Sequence, residues 1–186
     1  MKQTSPESEQ YLSTSNRITG VIVLVIGLAG LLDIVLEWRT ASGLLVASVI
    51  GILMVLAYVG LIRPSVTLSP ENLVLRNHLR DHTIPWRKVT GVDVTDILRV
   101  HTDTNRFRAP GVQLVMRDMR KQRVGGRKLS DDSSISRADF VVNRIESHME
   151  QYGEKSDGEV VTSWARPELA ALGVLAVVAV LAALFR

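Results

Sequence analysis

Four histidines and no cysteine set the outer limit of the chemistry open to this 186-residue chain. Without a thiol there can be no disulfide, thiolate metal site, iron–sulfur cluster or cysteine nucleophile. His78 and His82 stand four residues apart, a spacing that on a helix could aim two imidazoles at one metal ion. Their neighbours read instead as a turn between strands, and no HExxH occurs. Ser, His and Asp residues are present without the strand–turn–helix context of a nucleophile elbow. Gly125-Gly126, between Val124 and Arg127, reads as a tight hairpin turn and not as a phosphate-binding loop. Asp131-Asp132 precedes a helical pattern, where carboxylates favour the positive end of the helix. These residues assign no catalytic group, no metal and no cofactor, so the expectation is a non-enzyme.

The charged residues are more informative. From Arg106 to Lys128 the chain carries Arg106, Arg108, Arg117, Arg120, Lys121, Arg123, Arg127 and Lys128 against Asp118 alone, a local charge of +7 within a formal net charge of +3. Acidic residues follow later, from Asp131 to Glu159. A domain charged this way has a positive face and a negative end. Beside a membrane, each Lys or Arg near anionic headgroups gains about 1 kcal/mol, so Arg117, Arg120, Lys121, Arg123, Arg127 and Lys128 are the expected headgroup contacts. Phosphate backbones attract the same charges. The chain nevertheless lacks a helix-turn-helix pattern, a zinc spacing and interleaved aromatics, and a nucleic-acid partner is not expected.

What must hold that basic region at a membrane is visible in three apolar blocks. Residues 18–36 carry one charge, Asp33, and at 1.5 Å per residue reach about 28 Å, close to the hydrocarbon thickness. Arg17 stands at one end, with Glu37, Trp38 and Arg39 at the other; a tryptophan among charges suits the interface. Asp33 lies about one turn inside that end and is read as an interfacial carboxylate, with an intramembrane ion site as the lesser alternative. A second uncharged run covers 43–62 and is closed by Arg63-Pro64. Gly43, Ala47 and Gly51 recur there every four residues, a small-residue stripe that permits close helix packing in lipid. Its simplest use is against the first span, with homodimerisation as the sharper one. The short connection makes these two spans an antiparallel hairpin. A third block, Leu169–Phe185, is at the short end for a span, has no polar face and is read as a C-terminal transmembrane anchor, with burial beside the hairpin without full crossing as the alternative. The leader has Lys2 but also Glu7 and Glu9, which does not suit a secretory signal; residues 1–16 are read as a disordered tail. Arginine and lysine crowd the segment after the second span, whereas the hairpin loop holds only Arg39, so charge bias places the N-terminus and the middle of the chain in the cytoplasm.

Between Arg63 and Gln151 the pattern changes to short strands and turns. Val66–Leu68, Leu73–Arg76, Thr83–Trp86, Val89–Val94, Leu98–His101 and Val112–Met116 show the alternation and β-branched enrichment of strands, with turns at Ser69–Asn72 and Ala109–Gly111. Trp86 is read as a core residue. Ser136 and Asp139 start a helix whose apolar face is Ile135, Ala138, Val141, Val142, Ile145 and Met149. Pro64–Leu68 straight after a membrane hairpin, Leu73–Asn77, and Ile84-Pro85-Trp86 with Val89 and Val92 carry a resemblance. Together with the terminal helix, they make residues 64–150 similar to the pleckstrin-homology-like (PH-like) domain of small bacterial, mainly actinobacterial, membrane proteins. That resemblance implies a seven-stranded barrel with a C-terminal helix and a membrane-associated role; it transfers no ligand or catalytic residue, and the third apolar block departs from it.

The expected architecture is therefore an α + β membrane protein. A tail (1–16) precedes a transmembrane hairpin (17–63), a PH-like barrel or sandwich (64–152, helix about 136–150), a linker (153–167) and a final hydrophobic helix (168–186). The expected function is that of a non-enzymatic adaptor in the cell membrane. Its partners would be the lipid bilayer, anionic phospholipid and a membrane or cytoplasmic protein. The alternative is an accessory subunit of a larger membrane assembly, with the stripe Gly43/Ala47/Gly51 packed on a foreign helix.

Overall fold

A computed structural model describes residues 8–37, 40–113 and 137–185. The chain divides into two compact units. One is helical and the other is mainly β.

The helical unit comprises residues 14–64, 78–80 and 164–186. Its α1 is Thr14–Glu37, its α2 is Ala41–Ala57, and Tyr58–Ile62 continues α2 as a π-helical turn whose wider ring is closed by Arg63 N–H donating to Tyr58 O at 2.9 Å. Helix α2 begins at Thr40, whose Oγ1 accepts from Gly43 N–H, satisfying one of the donors that every helix start leaves open. The last helix, at Arg166–Leu184, is called α4 below. Thr14–Glu37, Ala41–Ile62 and Arg166–Leu184 are each long and apolar enough to cross a membrane. They are apolar all round, not amphipathic: Val25, Ile26, Leu53, Val174 and Val177 all stay exposed. A helix with this pattern is either buried in a large core or lipid-facing.

Glycines set the close approaches between these helices. A Cβ on Gly27 would lie 2.6 Å from Met54 Cγ, and one on Gly20 would lie 2.6 Å from Ile62 Cγ1. Gly30 faces Ile50, so as α1 advances its partners retreat along α2, and the pair is antiparallel.

The β unit comprises residues up to 13, 65–77 and 81–163. Strands β1 (Glu9–Leu12), β2 (Ser65–Leu68), β3 (Asn72–Arg76), β4 (Arg80–Pro85) and β8 (Val161–Trp164) form a five-stranded sheet in the order β1-β2-β3-β4-β8. Strands β5 (Val89–Val94), β6 (Ile97–Thr102) and β7 (Arg106–Gln113) form a three-stranded sheet. The pairings described strand by strand, β1–β2–β3–β4 and β5–β6–β7, are antiparallel. Helix α3 (Arg137–Tyr152) lays Val141 and Ile145 into a core with Val66, Leu68, Leu73, Leu75, Ile84, Leu98 and Val100, all 0–1 % exposed. Trp86 is in that core, as its sequence context indicates. It sits in a short 3₁₀ turn, with its indole N–H donating to Ser69 O at 2.8 Å.

Three sequence expectations need correction. The leader is not wholly a disordered tail, because Glu9–Leu12 pairs with Leu68–Ser65 and helix α1 begins at Thr14. Likewise, residues 153–167 are more than a linker: Val161–Trp164 forms the sheet-terminal strand β8. Finally, Ala109-Pro110-Gly111 makes no turn. Ile97 pairs with Gln113 while Leu98 pairs with Ala109, so Pro110 and Gly111 sit in a bulge within β7, a place where a residue lacking N–H costs no ladder bond. The Gly125-Gly126 turn and the Ser136 cap lie outside the described residues.

Candidate functional site

The six residues expected to meet headgroups, Arg117, Arg120, Lys121, Arg123, Arg127 and Lys128, lie outside the described residues. The start of the same basic run is described. Register places Arg99 opposite Arg108 and His101 opposite Arg106, while Asp93 lies opposite Arg99 on the other side. Alternation then puts Leu98, Val100 and Ala109 in the core and leaves Arg106 and Arg108 exposed. Like charges directly opposite repel, and local acids offset part of that cost. Arg99 Nη2 donates to Asp96 at 3.2 Å, and His101 Nε2 is hydrogen-bonded to Asp93. The imidazole bond holds the Asp93 carboxyl below its usual range. This outer sheet face is therefore polar, with its excess charge positive.

Two open clefts flank the β unit. One, of about 430 Å³, is bounded by Trp86, Arg87, Val89, Met149 and Glu150. The other, of about 390 Å³, is bounded by Lys88, Asp103, Phe107, Glu159 and Thr162. Each sets one cation, Arg87 or Lys88, among two carboxylates, a lining that specifies no ligand. Among the described residues no three His, Asp or Glu side chains gather as metal ligands.

Strand β1 is fixed by charge as well as by pairing. Arg144 of α3 presents its guanidinium to Glu9, with Nε 3.0 Å from Oε1 and 2.9 Å from Oε2, and Tyr11 Oη donates to Glu9 Oε2 at 2.6 Å. The Arg144 hydrogen bonds hold the Glu9 carboxyl down at about 2. Burial, then the Glu9 carboxylate, pushes the Tyr11 phenol up to about 12.

In the helical unit the small-residue stripe is split between uses. Gly43 is buried and Ala47 is half-buried, while a Cβ on Gly51 would lie 3.1 Å from Leu175 Cδ2. Gly51 thus meets the last helix, and the first span approaches α2 through its own Gly20, Gly27 and Gly30. Asp33 is exposed, one turn before the end of α1.

Sequence reasoning missed the polar groups at one end of this unit. Arg63 Nε donates to Glu168 Oε1 at 2.8 Å, with both side chains largely buried. The Arg80 guanidinium lies 4.0 Å from the centre of the Trp164 ring, and Ala165 N–H donates to Leu79 O at 3.0 Å. A signal was available. Trp164 and Arg166 flank the third apolar block as Trp38 and Arg39 flank the first. No family model, curated protein or solved structure matches the chain.

Proposed function

We propose that this is an integral, multi-pass protein of the cell membrane whose β unit is a non-enzymatic, PH-like adaptor on the cytoplasmic side. The observation that carries this reading is the apolar surface of all three long helices: side chains such as Ile26, Leu53 and Val174 remain exposed after the helices have packed on one another. Water would penalise that surface by roughly 25 cal/mol per Å², whereas lipid would not. Two antiparallel sheets closed by a C-terminal helix over one core support the PH-like assignment.

As an adaptor, the β unit has two surfaces to offer. One is the basic outer face of the β5–β6–β7 sheet, continued in sequence by Arg117–Lys128, which suits anionic phospholipid. The other is β8, a terminal strand with all four side chains exposed, a geometry open to a partner strand from a membrane or cytoplasmic protein. The alternative of an accessory subunit needs Gly51 for a foreign helix, and the chain's own Leu175 already occupies that approach. The adaptor therefore leads.

Fractionation tests the first half. Full-length protein should stay with membranes through an alkaline wash and leave only with detergent. Recovery in the soluble fraction would end the proposal. Crosslinking in native membranes tests the second half: a stoichiometric membrane partner contacting α2 would favour the subunit reading.

A further inference from the structure

The end of the helical unit at which α1 begins carries an arrangement of its own. Gly20 near the start of α1 touches Ile62 at the end of α2, and the Arg63–Glu168 contact joins that same end to the first turn of α4. Three long helices therefore share a level, and Arg17, Arg63 and Arg166 lie near it. Glu168 is matched to Arg63. Among the described residues, neither Arg80 nor Arg166 has an acidic partner within ion-pair distance, and both are exposed.

At this level stands Trp164, a large aromatic residue left 52 % exposed. It is held in place from two directions. The Arg80 guanidinium stacks over its ring, and the Ala165–Leu79 backbone bond ties the residue after it to the turn that presents Arg80. An indole with an apolar body and one polar N–H is suited to the boundary between hydrocarbon and headgroups. A guanidinium stacked on that ring keeps N–H donors at its rim, and these match phosphate oxygens bidentately. Arg166, two residues on from Trp164, adds a second cation at the start of the lipid-facing helix.

From this we infer that Arg80, Trp164 and Arg166 form a seat for an anionic phospholipid headgroup. The ring packs beside the glycerol and upper acyl region, and the two arginines take the phosphate, whose charge no choline offsets in an anionic lipid. The inference rests on the membrane reading above, and the experiment must fail separately for each.

Full-length protein carrying Trp38→Phe is reconstituted into phosphatidylcholine vesicles. That leaves Trp164 as the exposed fluorophore, because Trp86 is 1 % exposed in the core. Lipids brominated near the carbonyl end of the acyl chain are then titrated in, as phosphatidylglycerol or as phosphatidylcholine. Brominated phosphatidylglycerol should quench Trp164 in preference to phosphatidylcholine, by about fivefold for each arginine engaged. Arg80→Gln should lower that preference about fivefold, Arg80→Lys should restore only part of it because an ammonium keeps the charge but loses the stacked, bidentate fork, and a further Trp164→Phe should abolish the quenching. Equal quenching by the two lipids, or none, in protein that still resists an alkaline wash would overturn the seat and leave the membrane reading standing. Protein that washes out of the vesicles would remove both.

Discussion

Ile145 illustrates how much of the β unit rests on single side chains. It is fully buried on α3 among residues from both sheets, and truncation to Ala would leave a void that close-packed neighbours fill poorly. Ile145→Ala should therefore cost about 2–5 kcal/mol and Ile145→Val about 0.5–1.5 kcal/mol, read as the loss of unfolding free energy in detergent; equal costs would show a site that collapses freely. The Glu9–Arg144 contact makes a different kind of prediction. Glu9 has a folded-state pKa of about 2 against an ordinary 4.5, so its stabilisation is complete above about pH 4.5 and fades as pH falls toward 2. Glu9 is 29 % exposed and Arg144 is 45 % exposed, and solvent screening keeps the pair's contribution small. Glu9→Gln should accordingly melt slightly earlier than wild type at pH 7, with the gap closing below pH 4. A gap that widens in acid would contradict the assignment.

At the scale of elements, the helices are held by contacts that a single methyl group can test. Ala at Gly20 would bring Cβ to 2.6 Å from Ile62 Cγ1 and 3.0 Å from Leu61 Cβ, and the latter atom is fixed by its backbone and cannot swing aside. Overpacking of this kind costs about 1–3 kcal/mol, which exceeds the gain of up to about 1 kcal/mol from replacing a helical glycine. At Gly173 no atom lies within 4 Å, so only the gain remains. Thermal unfolding in one detergent should rank Gly173→Ala at or above wild type and Gly20→Ala below it; the reverse order would refute the packing described for α1 and α2. The existence of these helices was legible because a long apolar run has few other readings. Most strands of the core were legible for a related reason, as period-two alternation in Leu73–Arg76 and Val89–Val94 survives any tertiary context. Strands β1 and β8 were not, because Glu9–Leu12 and Val161–Trp164 are short sheet-terminal strands with little apolar alternation, and only their neighbours make them strands. Pro110-Gly111 has the chemistry of a turn, and nothing local distinguishes a turn from a bulge. The cation–aromatic contact of Arg80 with Trp164 joins residues 84 apart in sequence, beyond the reach of any spacing rule.

For the whole molecule, the direction of α4 decides how many crossings the proposed membrane reading implies. Its first turn meets Arg63 just past the end of α2, and seven residues later Leu175 meets Gly51, twelve residues back along α2. The helix therefore runs antiparallel to α2 and carries the chain away from the Arg17 level. Nineteen residues advance about 28 Å, enough to bring Phe185 to the level of Glu37. On the membrane reading proposed above, the arginines concentrated at the Arg17 end would place that end in the cytoplasm, and the three helices would make three crossings. The chain has no cysteine, so each introduced thiol reports alone. Thr104→Cys, in the exposed turn between β6 and β7, should react with a membrane-impermeant maleimide only after cells are permeabilised. Glu37→Cys and Phe185→Cys should react in intact cells. Labelling of Phe185→Cys together with Thr104→Cys would mean that α4 turns back without crossing. Labelling of Thr104→Cys in intact cells would invert the whole assignment, placing the β unit, its basic sheet face and the Arg80–Trp164 pair against the outer leaflet.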